Sequence, residues 1–366
     1  MLTICVYACN KQPDLPLLKV EDFTDTIDSK AVSLYTLNSG QGIVMQVTNF
    51  GCRVLSLWTP DKNGKYEDIV LGHKTLQEYI DHQGERFIGP VVGRYANRIA
   101  GGKFSIDSLT YTLPLNDNGQ SLHGGLKGFD MAVWDVDSVS DNQIRFSYIS
   151  PDGEEGYPGN LTTTVTYTLT PANEFKVEYT AKTDATTIVN LSFHGLFNLK
   201  GEGNGTILDH LLFIDADSIT PIDSVLIPSG ELDSVENTPF DFRKPTAIGD
   251  RINNENNQLR NGKGYDHNWV FNRKTDGVEL LASLYEPVSG RLMEILTDQP
   301  GMQFYSGNFF TGKIAGKYGK TFNYRESLAL ETQKFPDSPN HVNFPSTRLN
   351  PGEIYTQTCI YKFSAK

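Results

Sequence analysis

The sequence predicts an all-β protein built from large antiparallel sheets with few, short helices. Short runs rich in Val, Ile, Thr, Tyr and Phe recur along the chain and are separated by Gly, Asn, Asp and Pro. Residues 161–169 and 175–181 alternate polar and apolar side chains around a Pro-Ala-Asn turn, which indicates a hairpin. Helical periodicity is nearly absent. These three observations favour two large sheets packed face to face.

Nine runs are predicted as strands and two as short helices. The predicted strands are residues 31–37, 42–49, 53–59, 143–149, 161–169, 175–181, 211–214, 291–297 and 355–363. Residues 74–81 and 248–252 each predict a turn or two of helix. Residues 217–243 carry recurrent Pro and Gly, which predicts loops of the kind on which binding residues gather.

The length and charge of the chain limit its class. Its 366 residues allow one very large β domain or two ordinary ones, and no linker-like composition follows residue 20. Residues 21–366 are therefore predicted to form a single domain, as a monomer or a homodimer. The formal net charge of -12 argues against nucleic acid and anionic membranes as partners. No apolar run reaches the roughly 18 residues of a membrane span.

Residues 1–20 are interpreted as a leader and left out of the fold. An apolar run ends at Ala8 and is followed by Cys9, an order that resembles the end of a bacterial lipoprotein signal. The run is short and no Lys or Arg precedes it, so an ordinary N-terminus stays the alternative. A lipid anchor at Cys9 would place the protein in the cell envelope or periplasm; otherwise it is expected in the cytoplasm. The other cysteines (Cys5, Cys52 and Cys359) show no metal-type spacing.

Glu331 closes an apolar stretch, SLALETQKFP at 327–336, that predicts an extended strand. A carboxylate in that position is costly to desolvate unless another group pairs with it or uses it. Burial would raise its pKa into the range in which it can take and return a proton. The alternative is a Glu at a strand end that points into water, where most ionisable residues lie.

Four other polar clusters lie in strand or loop settings. They are GRYANRIA at 93–100, SLHGG at 121–125, IVNLSFHGLFNL at 188–199 and GYDHNW at 264–269. The arginines Arg94 and Arg98 could fork onto hydroxyls or a carboxylate, and a surface turn is the alternative. His123 precedes a glycine pair that allows close backbone approach. His194 lies inside an apolar run, where a satisfied core histidine is the commoner outcome.

These clusters contain the residue types of an acid–base site for a neutral ligand. Aromatic faces suit the C–H side of a sugar ring, and charged forks suit its hydroxyls. The sequence has no nucleophile elbow, phosphate loop, dinucleotide fingerprint or HExxH zinc motif. Metal binding by His123, His194 and His267 is conceivable, but their spacing gives no specific signal. The residues alone therefore leave a metal site open.

The clusters resemble, in order, the motifs of the aldose 1-epimerase (galactose mutarotase) family. The matching segments are NFG (49–51), PD (60–61), GRYANRIA (93–100), LHGG (122–125), GFDMAVW (128–134), NLSFHGLFNL (190–199), TPIDSVLIPSGE (220–231), TPFDFR (238–243), GYDHN (264–268), PGMQFYSGNF (300–309), LETQKFPDSPN (330–340) and LNPGEIY (349–355). They span nearly all of the chain beyond the leader, and the set is far more specific than any one member.

The resemblance implies a galactose-mutarotase-like β-supersandwich enzyme that interconverts α and β anomers of free aldohexoses without a cofactor and without a metal. It implies that Glu331 is the general base for the anomeric hydroxyl and His194 the general acid for the ring oxygen. His123 would assist at the ring oxygen. The residues implied to hold sugar hydroxyls are Asn97, Arg98, Asp266 and Gln303.

Two departures and three rival functions accompany this interpretation. The family usually has Ser or Thr and then Tyr after the acid His, whereas Gly195 and Leu196 stand here, and Cys52 replaces a small residue. A glycoside hydrolase would also need two carboxylates. A hexose 6-phosphate epimerase would need a basic cluster, which the site motifs lack. A non-catalytic sugar-binding protein would be expected to lose the acid or the base.

Overall fold

The chain folds into antiparallel sheets that pack on one another, and the all-β prediction is confirmed. The computed structural model describes residues 14–81 and 85–366. The predicted lipid-anchor residue Cys9 lies outside these residues. Within them there are two α-helices, α1 (Leu76–Asp81) and α2 (Asn257–Gly262). None of the described helices has the length and apolarity needed to cross a bilayer.

The described residues contain 29 strands and six single-turn 3-10 helices. Strands β1–β10 are Asp25–Ile27, Lys30–Val32, Leu34–Asn38, Val44–Thr48, Arg53–Pro60, Tyr66–Asp68, Val91–Val92, Arg98–Ile99, Lys103–Ile106 and Leu109–Thr112. Strands β11–β20 are Ser121–Leu122, Asp135–Val139, Gln143–Ser150, Leu161–Thr170, Glu174–Thr183, Thr187–Ile188, Ser192–Phe193, Leu196–Phe197, Leu211–Ile214 and Ala216–Thr220. Strands β21–β29 are Asp233–Ser234, Thr246–Ala247, Asp266–Phe271, Glu279–Tyr285, Arg291–Thr297, Gly301–Tyr305, Leu328–Gln333, Arg348–Leu349 and Tyr355–Ala365. The 3-10 helices are Val20–Phe23, Ala100–Gly102, Phe129–Met131, Glu154–Gly156, Ile248–Asp250 and Ser338–Asn340.

Three sheets form most of the molecule. The largest has nine strands in the order β12-β13-β14-β15-β29-β25-β24-β19-β22. A six-stranded sheet follows the order β18-β27-β26-β23-β20-β21, and a four-stranded sheet the order β3-β4-β5-β6. The predicted hairpin is the β14–β15 pair, in register from Leu161↔Thr183 to Thr170↔Glu174.

The predicted strands agree with the structure except where side chains interrupt the ladder. Residues 31–37 are split into β2 and β3 because the Ser33 amide donates to Asn49 Oδ1 (2.9 Å) instead of joining a strand. The predicted helix at 74–81 is α1, and the one at 248–252 is only a 3-10 turn. Helix α2, which the periodicity did not predict, begins after Asn256, whose side chain accepts from two amides of the first turn.

The six-stranded and nine-stranded sheets share one hydrophobic core, and β27 lies where they meet. Leu328 and Leu330 belong to this main core, whereas Ala329 on the opposite face of β27 belongs to a second cluster. Two side chains of β29 reach across: Tyr361 Oη donates to the Leu330 carbonyl (3.1 Å) and Gln357 Nε2 to the Thr332 carbonyl (3.0 Å). The carbonyls of both residues that flank Glu331 are therefore hydrogen-bonded from the other sheet.

Lys317 anchors residues 306–327, the long connection between β26 and β27. Its side chain is fully buried, with Nζ 2.8 Å from Asp68 Oδ2 and 3.2 Å from Glu202 Oε2. Nζ also donates to the carbonyls of Leu55 (2.7 Å) and Val70 (2.8 Å). Burial alone would lower the pKa of Lys317, but the two carboxylates hold it above its ordinary value.

We expect Lys317→Met to lower the free energy of unfolding by about 3–5 kcal/mol, because it leaves two buried carboxylates without their cation. Urea unfolding near neutral pH measures the loss. Lys313→Met is the matched control, since Lys313 is exposed on the same connection, and a change within about 0.5 kcal/mol is expected there. A loss below about 1 kcal/mol in Lys317→Met would show that this cation is not a structural anchor.

Candidate active site

One pocket collects six of the seven residues predicted for the site. It is lined by Glu85, Phe87, Asn97, Arg98, Leu122, His123, His194, Asp266, Tyr305, Phe309 and Glu331. The seventh, Gln303, lies directly behind this lining. Its Nε2 donates to Asp266 Oδ1 at 2.7 Å, and it pairs across the ladder with Glu331. Side chains that are more than 130 residues apart in sequence thus converge on one face of the six-stranded sheet.

Glu331 and His194 form a buried pair in this pocket. His194 lies between β17 and β18, and β18 pairs with β27, so the strand order brings the two side chains together. Glu331 Oε1 is 3.6 Å from His194 Nε2, with both side chains more than nine-tenths buried. That separation is too long for a direct hydrogen bond. Glu331 Oε2 has no hydrogen-bond partner within the described part of the chain.

His123 is oriented by the backbone of Asn97. The Asn97 amide donates to His123 Nδ1 (3.1 Å), and the His123 amide donates to the Asn97 carbonyl (3.0 Å). Because Nδ1 accepts a hydrogen bond, the neutral ring carries its proton on Nε2. The next residue must be glycine, since a Cβ at Gly124 would lie 1.9 Å from the Gly93 carbonyl oxygen. His123 and His194 meet edge to face, with ring centroids 5.1 Å apart.

The pocket wall opposite the histidines carries charge. Arg98 donates from Nε to Asp117 Oδ2 at 2.7 Å, so its guanidinium is held at the wall by a carboxylate. Burial raises the pKa of Asp266, and Arg98 opposes that shift. Asp266 is the first residue of β23, next to β26 in the sheet.

Sequence reasoning missed Glu85 and Phe87. The Phe87 ring lies 4.6 Å from the ring of His123 and 6.0 Å from that of His194, centroid to centroid. Its neighbour Arg86 forms a two-pronged ion pair with buried Asp130, with both N–O distances at 2.7 Å. This pair fixes the segment that presents Phe87 and Glu85 to the pocket. No pattern in the sequence marks residues 85–87 as part of the site.

Burial sets the proton affinities of the pair. It raises the pKa of Glu331 well above its ordinary value, and the charges of Asp266 and Glu85 raise it further, whereas Arg98 lowers it. Burial also lowers the pKa of His194 to about 4 and that of His123 well below its ordinary value. These two shifts favour a neutral pair in which Glu331 holds the proton and His194 does not.

Two candidates from the sequence lie outside the pocket. Arg94 donates to the carbonyls of Pro158 (2.9 Å) and Gly159 (3.0 Å), so this arginine supports loops. His267 is buried on the other face of β23 and contacts Gln258 Oε1 at 3.2 Å. A metal site that includes His267 is therefore not formed. The nearest grouping is His123, His194 and Glu331, whose ligand atoms lie within 4.8 Å of one another and could hold an ion.

The unusual residues after His194 have a packing explanation. A Cβ at Gly195 would lie 2.5 Å from the Phe193 ring and 2.9 Å from the Phe197 ring. Leu196 is fully buried in the second core cluster. A residue larger than glycine at this position would displace those rings, whereas the His194 backbone is fixed by bonds to Pro90 and Gly89.

A β-sandwich with a buried carboxyl–imidazole pair in an open pocket has the arrangement of a carbohydrate epimerase, and comparisons with known proteins agree. The sequence model of the Aldose 1-epimerase family matches residues 33–362. Rat galactose mutarotase is 42% identical over 91% of this chain and 94% of its own length. Aldose 1-epimerase from Escherichia coli K12 is 36% identical over 93% of this chain and 97% of its own.

Solved structures show the same likeness. An aldose epimerase homologue from C. elegans superposes with a TM-score of 0.84 at 30% identity, covering 92% of this chain and 99% of that chain. Galactose 1-epimerase from Lactobacillus acidophilus superposes with a TM-score of 0.81 at 28% identity, covering 94% of this chain and 97% of that chain. The chain belongs to the aldose 1-epimerase family. The predicted family, fold and enzyme class are confirmed.

The Glu331–His194 pair predicts a bell-shaped dependence of kcat/KM on pH. Between the two pKa values the pair holds one proton, as an acid and a base together require. Below about pH 4 His194 also takes a proton, and above the raised pKa of Glu331 the last proton is lost. Optical rotation measured from about pH 3 to about pH 10, with the rate without enzyme subtracted, gives both limbs.

Glu85→Gln provides a sharper version of that test. The charge of Glu85 raises the pKa of Glu331, so the alkaline limb should move to lower pH while the acid limb stays in place. Glu294→Gln, on β25 outside the pocket, should move neither limb. An alkaline limb that is the same in Glu85→Gln and the wild-type protein would contradict the assignment of that limb to Glu331.

Proposed function

We propose that this chain is an aldose 1-epimerase that interconverts the α and β anomers of free aldohexoses such as galactose and glucose. The observation that carries the proposal is the buried Glu331–His194 pair, 3.6 Å apart, in the pocket on one face of the six-stranded sheet. Anomer exchange needs one proton acceptor and one proton donor at neighbouring oxygens of the sugar, and it needs no nucleophile. The family relationship supports the same reaction.

The first step concerns the position of a single proton. Burial favours the neutral pair with the proton on Glu331, yet the reaction starts from a carboxylate and an imidazolium. A proton must therefore pass from Glu331 to His194 when sugar binds. At 3.6 Å the two atoms are too close for an oxygen to lie between them, so a sugar hydroxyl beside the pair, hydrogen-bonded to both, would carry the proton. The total number of protons on the pair stays at one.

Ring opening then uses both groups. The Glu331 carboxylate takes the proton of the anomeric hydroxyl, and the C1–O5 bond breaks as C1 becomes an aldehyde. His194 gives its proton to O5, which becomes a hydroxyl. Rotation about C1–C2 presents the other face of the aldehyde, and reversal of both proton transfers closes the ring as the other anomer. The pair ends in its starting protonation state.

The remaining polar residues would orient the sugar. The Nε2–H of His123 is available as a donor near the ring oxygen, because its Nδ1 is already occupied. Burial keeps His123 neutral by lowering its pKa. Asn97, Arg98 and Asp266 would hold hydroxyls, with Gln303 acting through Asp266. Three carboxylates and one paired arginine line the pocket, which favours a neutral sugar over a sugar phosphate.

Residues 21–366 act as one domain in this proposal, and the main core, which draws on residues from Leu37 to Phe363, supports it. The substrate is a monosaccharide. The lipid anchor at Cys9, the location in the envelope and the monomeric or homodimeric state stay predictions from the sequence.

We expect Glu331→Gln and His194→Asn each to lower turnover by about a hundredfold or more, because each removes one proton-transfer partner. Polarimetry of freshly dissolved α-D-galactose and α-D-glucose measures the rate, and circular dichroism checks the fold. Glu294→Gln and His341→Asn are matched controls outside the pocket, and they should keep the wild-type rate. Wild-type rates in either active-site variant, or no acceleration by the unmutated protein, would overturn the proposal.

A further inference from the structure

A second cavity lies beside the catalytic pocket, and we call it the arginine cavity. Its volume is about 370 Å³, within the roughly 300–1,000 Å³ range of small-molecule sites. The lining residues that carry charge or amide groups are Asn253, Asn254, Glu255, Asn256, Arg260, Lys263 and Arg325. Nothing in the proposed anomer exchange uses this cavity.

The buried and incompletely paired guanidinium of Arg325 is the feature of the cavity that indicates a ligand. The residue is 6% exposed and forms no ion pair with any acid among residues 14–81 and 85–366. Its Nε is buried without an acceptor, and Nη1 donates to Asn253 Oδ1 at 2.8 Å. A buried guanidinium is costly without a compensating anion. By contrast, Arg98 in the catalytic pocket is paired with Asp117.

The guanidinium of Arg325 is held in a fixed orientation. Its Cζ lies 4.5 Å from the ring centroid of Tyr324. The Tyr324 hydroxyl in turn donates to the Lys263 carbonyl at 3.3 Å, which connects Arg325 to Lys263, a second cationic residue of the cavity. A planar guanidinium whose orientation is already fixed suits an oxyanion, because the side chain loses less conformational freedom on binding.

The charge of the cavity is opposite to that of the chain. Three cationic residues (Arg260, Lys263 and Arg325) and one carboxylate (Glu255) line it, on a protein with a formal net charge of -12. Neither Arg260 nor Lys263 is within ion-pair distance of an acid in the described residues; Arg260 Nη1 donates to Asn257 Oδ1. The cavity is therefore a local positive site on an acidic surface.

The arginine cavity and the catalytic pocket share a wall. Phe309 lines the catalytic pocket, and Lys263 Nζ lies 5.2 Å from the centroid of the Phe309 ring. Gly264 lines the arginine cavity, and Asp266, two residues later, lines the catalytic pocket. A molecule with its reducing sugar in the pocket is therefore separated from the arginine cavity by the contact between Phe309 and Lys263.

We propose that the arginine cavity binds the oxyanion of a small ligand, a carboxylate, phosphate or sulfate, with Arg325 as the main contact. Asn253 and Asn254 supply amides for hydroxyls beside that anion. The same oxyanion chemistry could come from either of two ligands. The anion is either part of the substrate, as in an acidic oligosaccharide whose reducing end enters the catalytic pocket, or a free anion.

Calorimetric titration of the full chain with sodium sulfate and sodium phosphate, at constant ionic strength, tests the site without reference to catalysis. We expect a dissociation constant of about 1 mM or tighter, and a value at least about tenfold weaker in Arg325→Gln. Arg145→Gln removes the same charge on β13, outside the cavity, and should bind as the wild-type protein does. Arg260→Glu, an exposed position on α2, gives a second loss-of-binding variant if Arg325→Gln does not fold.

A kinetic arm identifies the source of the anion, and it rests on the proposed anomer exchange. Exchange NMR compares the reducing ends of trigalacturonate and neutral galactotriose, with galactose as the positive control for catalysis. A KM at least about tenfold lower for trigalacturonate, lost in Arg325→Gln, assigns the anion to the substrate. Equal KM values together with sulfate or phosphate binding assign it to a free anion.

The two arms fail in different ways. No acceleration of galactose exchange would count against the proposed function and leave the calorimetric result standing. The anion site is overturned if sulfate, phosphate and trigalacturonate give no binding heat with the wild-type protein. It is also overturned if folded Arg325→Gln or Arg260→Glu binds these anions as the wild-type protein does.

Discussion

The arrangement of the site depends on keeping the carboxyl group of Glu331 out of water. The carbonyls of Leu330 and Thr332, the residues on either side of it, accept hydrogen bonds from β29 of the opposite sheet, so the backbone that carries the carboxyl group is held in place by contacts between the sheets. Its cost of burial raises its pKa and makes it a strong proton acceptor once it is ionised. His194 lies just before β18, the strand that pairs with β27. The packing that buries the base Glu331 therefore also sets the distance between the base and the acid.

Acidic side chains line the catalytic pocket around this pair, whereas cationic side chains line the neighbouring arginine cavity. The catalytic pocket holds Glu85, Asp266 and Glu331 and a single arginine that is already paired. The arginine cavity holds three cations and one acid. A positive group beside Glu331 would lower its pKa and weaken it as a base, so an anion-binding arginine is compatible with the chemistry only at a distance from the pocket. The Lys263–Phe309 contact provides that separation.

The sequence predicts what alternation and local spacing control. The hairpin of β14 and β15 and the strands β19 and β25 follow from residues that alternate or are continuously apolar. The roles of Glu331 and His194 came from the resemblance to a family, since either residue alone is compatible with an ordinary strand. Glu85, Phe87 and Arg325 could not be predicted, because their importance comes from tertiary neighbours such as the Arg86–Asp130 pair and from the absence of an acid beside Arg325 among the described residues. Neither the tertiary contacts nor the absence of an acid can be predicted from the spacing of residues along the sequence.

The connection 306–327 shows why the acid–base pair and the neighbouring cavity can vary independently. Lys317 fixes this connection to Asp68 and Glu202, which lie before and after the strands that carry His194. Phe309 on one arm of the connection closes the catalytic pocket, and Arg325 on the other arm enters the arginine cavity. Neither residue belongs to a strand that holds the catalytic pair. Loops on a fixed scaffold can change their side chains without disturbing that scaffold. Changes in this connection can therefore alter which sugar derivatives bind beside the pocket, while β18 and β27 keep the distance on which proton transfer depends.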